Sequence, residues 1–179
     1  MKLPILSTLF RRDREVSRGQ ALVEFALILP ILVILLVGIF DLGHVVWTND
    51  ALSNASREAA RYAIVHGGSD STACPVGPAP GTLVLPTAST DCPYPSPSVQ
   101  SIKDEAAQWL QGVGGAQHVY VCYGDVASCT SDTNASGATN TRGTRVTVTV
   151  TTDMGLSAPA LLGIGPFHLS ASTTMLVNH

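Results

Sequence analysis

Charge is scarce in this 179-residue chain: only 13% of its residues are Asp, Glu, Lys or Arg, and only 6% are aromatic. The charge present is also unevenly placed. Residues 1–19 hold Lys2, Arg11, Arg12, Arg14 and Arg18 against Asp13 and Glu15, a net of +3. The other 160 residues hold five basic and eleven acidic groups, a net of −6. Beyond the N-terminus there is no basic patch to neutralise phosphates, so nucleic acid is not an expected partner. Catalytic motifs are missing too: no G-x-S-x-G, no H-E-x-x-H and no phosphate-binding glycine loop. His44, His66, His118, His168 and His179 are scattered, none in a motif with a nucleophile. We therefore expect neither an enzyme nor a cofactor. Four cysteines occur, but no C-x2-C spacing and no histidine at a matching offset, which argues against zinc.

What the chain does have is one long apolar run. From Ala21 to Phe40 every residue is apolar or glycine except Glu24 and Pro30. As a helix this run covers roughly 30 Å, the thickness of a bilayer's hydrocarbon core. Basic residues flank its N-terminal end only, which predicts that this end stays in the cytoplasm and that everything after Phe40 lies outside. The run is about twice as long as the core of a cleaved secretory signal, and no small-x-small site follows it in FDLGHVVWTND. The segment is expected to remain as an anchor in the lipid bilayer. Cys74, Cys92, Cys122 and Cys129 all follow it. An even number in an oxidising compartment predicts two disulfides; of three possible connectivities the local pairs Cys74–Cys92 and Cys122–Cys129 are favoured.

Helical signals continue past the membrane boundary. Leu42, Val45, Val46, Leu52, Ala55, Ala59, Tyr62 and Ala63 recur near a helical period, and Gly67-Gly68 supplies a stop. The pattern predicts one helix over 20–66, transmembrane in its first half and amphipathic in its second, with many small residues that other backbones can approach closely. Residues 67–97 form a loop rich in Pro, Gly and Ser. After Pro97, Val99, Ile102, Ala106, Trp109 and Leu110 mark a helix of about three turns. HVYVCY, TRVTVTVTTDM and PFHLSASTTMLV alternate as strands do. The expected fold is α+β: a basic cytoplasmic leader over 1–19, the long helix, the loop, and an extracytoplasmic domain over 98–179 in which one helix packs on about three antiparallel strands.

A carboxylate inside an apolar run needs a reason, because it costs on the order of 3 kcal/mol at a membrane helix centre and less near an end. The helix dipole and protonation both offer a bland one. Its neighbours suggest another. A basic leader ends at Gly19, followed by Gln20, Ala21, Leu22, Val23 and Glu24, then Phe25, Ala26 and further hydrophobics. This resembles a type IV prepilin processing site, where a membrane peptidase cuts after the glycine and glutamate becomes the fifth mature residue. Together with Pro30, Gly38 and the Ala55–Ala63 segment bearing Arg57, Glu58, Arg61 and Tyr62, it resembles the TadE-like family, the pilin-like proteins of tight-adherence (Tad) pilus systems. The resemblance covers about residues 18–64. Where the family usually has a glycine after the position of Glu58, this chain has Ala59, a small cost in a helix.

The resemblance implies a minor pilin or pseudopilin with a pilin-like fold. It would be trimmed between Gly19 and Gln20 by a prepilin peptidase and join other pilin-like subunits through its N-terminal helix, on a pilus assembly platform. Glu24, with Phe25 beside it, would then meet the freed amine at Gln20 of a neighbouring subunit, so that one ion pair encodes register. Pro30 removes the amide that would bond to the Ala26 carbonyl and predicts a local kink. Arg57, Glu58, Arg61 and Tyr62 read first as helix-surface groups and second as subunit contacts. The rival reading is a membrane-anchored extracytoplasmic binding module that does not polymerise.

Overall fold

The computed structural model of the chain describes residues 6–66, 76–77, 99–157, 160, 163 and 165–178. Helix α1 runs unbroken over Leu6–Val65, 60 residues, and α2 over Gln100–Trp109. Three strands follow: β1 (Ala116–Tyr123), β2 (Arg145–Met154) and β3 (Phe167–Leu176). They form one antiparallel sheet in the order β1-β2-β3. The expected α+β architecture is what the chain adopts.

Two boundaries differ from expectation. α1 begins at Leu6, not near Gln20, so most of the basic leader is already helical. LSTLFRRDREVSR contains no proline and several good helix formers, and the one punctuation mark, Gly19, costs a helix only about 1 kcal/mol. The docking face of α1 also starts later than its periodicity suggested. Leu42 and Val46 are 68% and 61% exposed, and full burial begins at Thr48.

From Thr48 on, α1 lies against the sheet. Leu52, Ala55, Ala59, Ala60 and Ala63 are fully buried there. The alanines let the helix backbone come close to β2 and β3, as the run of small residues implied. Alternation along β2 turns Val146, Val148, Val150 and Thr152 to the same side. Register places Tyr123, Val121 and Val119 of β1 and Met175, Thr173 and Ala171 of β3 beside those valines. α2 closes the layer with Ile102 and Ala106. On the opposite face, hydroxyls pair across strands, Thr147 with Thr174 at 2.9 Å and Thr149 with Ser172 at 3.0 Å.

The β1 edge of the sheet is capped by its own loop. Asp132 accepts a hydrogen bond from the Val121 amide and Asn134 one from the Tyr123 amide, each at 3.0 Å. The Ala135 amide donates to the Tyr123 carbonyl at 2.8 Å. Lys103 of α2 pairs with Asp132, and a disulfide joins Cys122 to Cys129 with Cα atoms 5.9 Å apart. Side chains thus take the places a fourth strand would occupy, blocking unwanted edge pairing. The Cys122–Cys129 pairing is as the spacing favoured; Cys74 and Cys92 lie outside the described residues, as does most of the 67–97 loop.

A second pin holds Val76 and Gly77 to the domain. The Val76 amide donates to the His66 carbonyl at 3.0 Å, and buried Asn140 donates to the Val76 carbonyl at 2.7 Å. Gly77, at φ +83°, sits on the Tyr123 ring so closely that a Cβ would fall 2.2 Å from it. Only glycine satisfies both that conformation and that contact.

Candidate membrane and assembly segment

Between Gly19 and Phe40, α1 touches almost nothing. Residues 19–36 are exposed without exception, and Ile39 and Phe40 follow suit. Leucine, isoleucine, valine and phenylalanine supply nearly all of this surface. An apolar patch of such extent is far beyond what a water-soluble surface carries and marks a binding surface for lipid or protein. The helix is long and apolar enough to cross a membrane, and none of its most apolar stretch is buried inside the molecule. This is consistent with a single-pass membrane anchor.

At the start of that surface, Gly19 is in helix with open space around its Cα. One turn separates Gln20 from Glu24, and the Gln20 side-chain amide donates to the Glu24 carboxylate at 3.3 Å. The two residues therefore share a helix face, as i,i+4 spacing requires. Phe25 is 61% exposed on the neighbouring face. α1 continues through Pro30 without interruption.

The upper group of candidates divides. Arg57 and Arg61 are exposed, and Arg61 pairs with Glu58 at 3.2 Å, an i,i+3 contact. Arg57 also lines a shallow polar groove with Asn49, Ser53 and Ser56 of α1 and Ser170–Thr174 of β3. Tyr62 behaves differently: it packs against the core and stacks on His66 with ring centroids 4.1 Å apart. Burial, and then the negative charge of Glu105, push its phenol above the usual range; a hydrogen bond with Ser101 opposes them. Ala59, where the family pattern has glycine, is fully buried against the sheet, so its methyl group is accommodated in the core.

Sequence reasoning did not anticipate Thr48 and Trp47. Thr48 is fully buried where α1 enters the outer domain, and its hydroxyl has no hydrogen-bond partner among the described residues. Trp47, half exposed, lies against the turn after α2, where a Cβ on Gly112 would be 3.5 Å from the indole. Their only signal in the sequence was position, at the end of the exposed apolar stripe.

Among the described residues no group of three or more His, Cys, Asp or Glu side chains is arranged to hold a metal ion. No curated protein and no solved structure matches the chain. A protein-family model does: the one described as TadE-like protein matches residues 19–61, from the glycine ahead of the apolar run to Arg61 on the docked half of α1. Over that stretch, about a quarter of its length, the chain is similar to the TadE-like family, and the match points to a pilus-related protein with an N-terminal membrane-anchor helix.

Proposed function

We propose that the protein is a minor pilin or pseudopilin of a Tad-type pilus, a structural component rather than an enzyme. It is inserted in the cytoplasmic membrane by α1, with the basic end inside and the α+β domain outside, as the one-sided arginine flank favours. A prepilin peptidase cuts between Gly19 and Gln20, and the trimmed chain joins related subunits on the assembly platform, in support of surface adherence.

The observation that carries this reading is the pairing of Gln20 with Glu24 at the head of the exposed apolar stretch of α1. Cleavage would turn the backbone nitrogen of Gln20, not its side-chain amide, into an ammonium while leaving Glu24 one turn away on the same face. Within a chain the pair sits side by side on the helix; between chains packed in register, Glu24 of one subunit meets the new ammonium of the next. In a bundle of apolar helices an unpaired carboxylate is heavily penalised, so this contact favours one stagger over all others. The exposed stripe from Leu22 to Phe40 then serves twice, against lipid before assembly and against neighbouring helices after it.

N-terminal sequencing of protein purified from a host with active prepilin peptidase tests the reading directly. A mature chain starting at Gln20 is the expected result. Residue 1 retained, with all of the protein in the membrane fraction and none in sheared filaments, would leave the anchored binding module in its place.

A further inference from the structure

Two independent sets of contacts define which end of the outer domain faces the membrane. Along β3, Ser170 and Ala171 lie beside Asn49 and Ser53, the Thr173 hydroxyl meets Ser56, and Leu176 lies near Ile64. β3 therefore climbs in the same direction as α1, and its first residue, Phe167, is at the membrane end. Register puts Met154 opposite Phe167 and Ala116 opposite Asp153, so the end of β2 and the start of β1 are there too. The turn between α2 and β1 follows: Thr152 bonds to the Gly114 carbonyl, and Trp47 lies beside Gly112.

This end is unlike the rest of the domain. Both tryptophans of the chain are on it, Trp47 at 49% and Trp109 at 51% exposure, with Phe167 at 42%. Between β2 and β3, the described residues 155–157, 160, 163 and 165–166 carry no charge. Charges stand at the border of this end: Asp41 follows Phe40 on α1, Asp153 pairs with His168 at 2.7 Å, and Glu105 accepts a hydrogen bond from the Trp109 indole at 3.4 Å. On α1, Leu42 and Val46 are exposed and Thr48 is fully buried, so the domain's lower edge lies near Trp47 and Thr48, about two turns past Phe40, where the apolar run stops. The surface is continuous with the anchor.

We propose that this end of the domain rests in the headgroup layer of the bilayer, with Trp47, Trp109 and Phe167 as its lipid contacts. Indole suits that layer because its body is apolar and its N–H is polar. Trp47 lies seven residues past Phe40, about 10 Å up the helix, and its side chain tilts back toward the N-terminus and the lipid. With the domain seated this way, α1 does not swing freely about its exit point, and subunits are presented at one height and tilt. Extraction into a filament then requires the rim to leave the lipid along with the helix. The inference rests on α1 being a membrane anchor.

Phe replacements make the test residue-specific. The full-length W47F chain keeps Trp109 as its sole tryptophan and is placed in phosphatidylethanolamine/phosphatidylglycerol vesicles, plain or brominated near the headgroup end of the acyl chains. Bromine should quench Trp109 and its emission should be blue-shifted; the W109F chain should report the same for Trp47. Leu176→Trp in a W47F/W109F background places the probe at the far end and should show no quenching. A chain that floats with the vesicles while Trp109 stays unquenched overturns the proposal and leaves the anchor intact. So does a blue shift that grows with the protein-to-lipid ratio without quenching, which would mean a second copy covers the rim. Equal quenching at position 176 would also overturn it, since the domain would then lie flat. Failure to float at all would instead remove the anchor on which the proposal depends.

Discussion

The hydroxyls of Ser56 and Thr173, 117 positions apart in the chain, meet at 2.8 Å where α1 crosses onto β3. Ser56 also donates to the Ser53 carbonyl at 3.0 Å, so its proton and lone pairs are shared between its own helix and the sheet. The contact is part-buried: Ser56 is 1% exposed, and both residues line the polar groove beside Arg57.

A double-mutant cycle should show that coupling. Ser56→Ala leaves the Thr173 hydroxyl without this partner and should cost about 1–2 kcal/mol, whereas adding Thr173→Val should recover part of the loss. Denaturant titration of the four chains in one detergent measures it. Strictly additive losses would mean the hydroxyls contribute nothing jointly.

The Cys122–Cys129 disulfide ties the loop that caps β1. Closing so short a loop stabilises by roughly 2–3 kcal/mol in the chain-entropy view, so Cys122→Ser/Cys129→Ser should fall by about that much. Amide exchange should quicken first at Val121 and Tyr123, whose N–H groups depend on Asp132 and Asn134. Mass spectrometry without reduction should find 122 and 129 in one linked peptide.

Tyr123 is fully buried with its hydroxyl unpartnered among the described residues. Burial holds its phenol far above the ordinary value of 10.0. The unfolded chain therefore loses this proton first, so stability from the neutral ring is complete below about pH 10 and declines as pH rises above it. Tyr123→Phe should flatten that alkaline decline, and at neutral pH should be neutral or stabilising because no hydrogen bond is lost. Thermal melts at neutral and alkaline pH, with tyrosinate absorbance followed alongside, measure both effects. A decline as steep in the variant as in the parent would assign the alkaline sensitivity elsewhere.

Much of this architecture was legible because local chemistry and tertiary role coincide. The β-branched alternation of RVTVTVTT admits one reading, and its valines all end on the buried side. The alanines at 55, 59, 60 and 63 announced a close helix contact, and the seven-residue spacing of Cys122 and Cys129 favoured their pairing among three possible connectivities. What periodicity does not encode is what a stripe faces: Leu42 and Val46 fit the docking pattern, yet the domain ends at their level and leaves them bare. The cap of β1 was hidden for another reason. In SCTSDTN nothing local distinguishes Asp132 and Asn134 from solvated loop residues, and their targets lie eleven positions away on a strand. The early start of α1 has no mark at the charge boundary, because arginine and glutamate are good helix formers regardless of which side of a membrane they occupy.

Glu24 offers the sharpest functional test, since substitution separates its charge from its shape. Glu24→Gln keeps the side-chain length and still accepts a hydrogen bond from Gln20, so α1 and its insertion should be unaffected. An interchain ion pair cannot form, however, and a lost charge partner in an apolar bundle is costly enough to lower assembly by about tenfold or more. Immunoblots of sheared filaments against membranes should show the variant depleted in the first and undiminished in the second. Glu24→Asp, which keeps the charge but withdraws it by one methylene, should fall between the two. If Glu24→Gln assembles as the parent does, hydrogen bonding alone sets the stagger and the ammonium at Gln20 has no part in it.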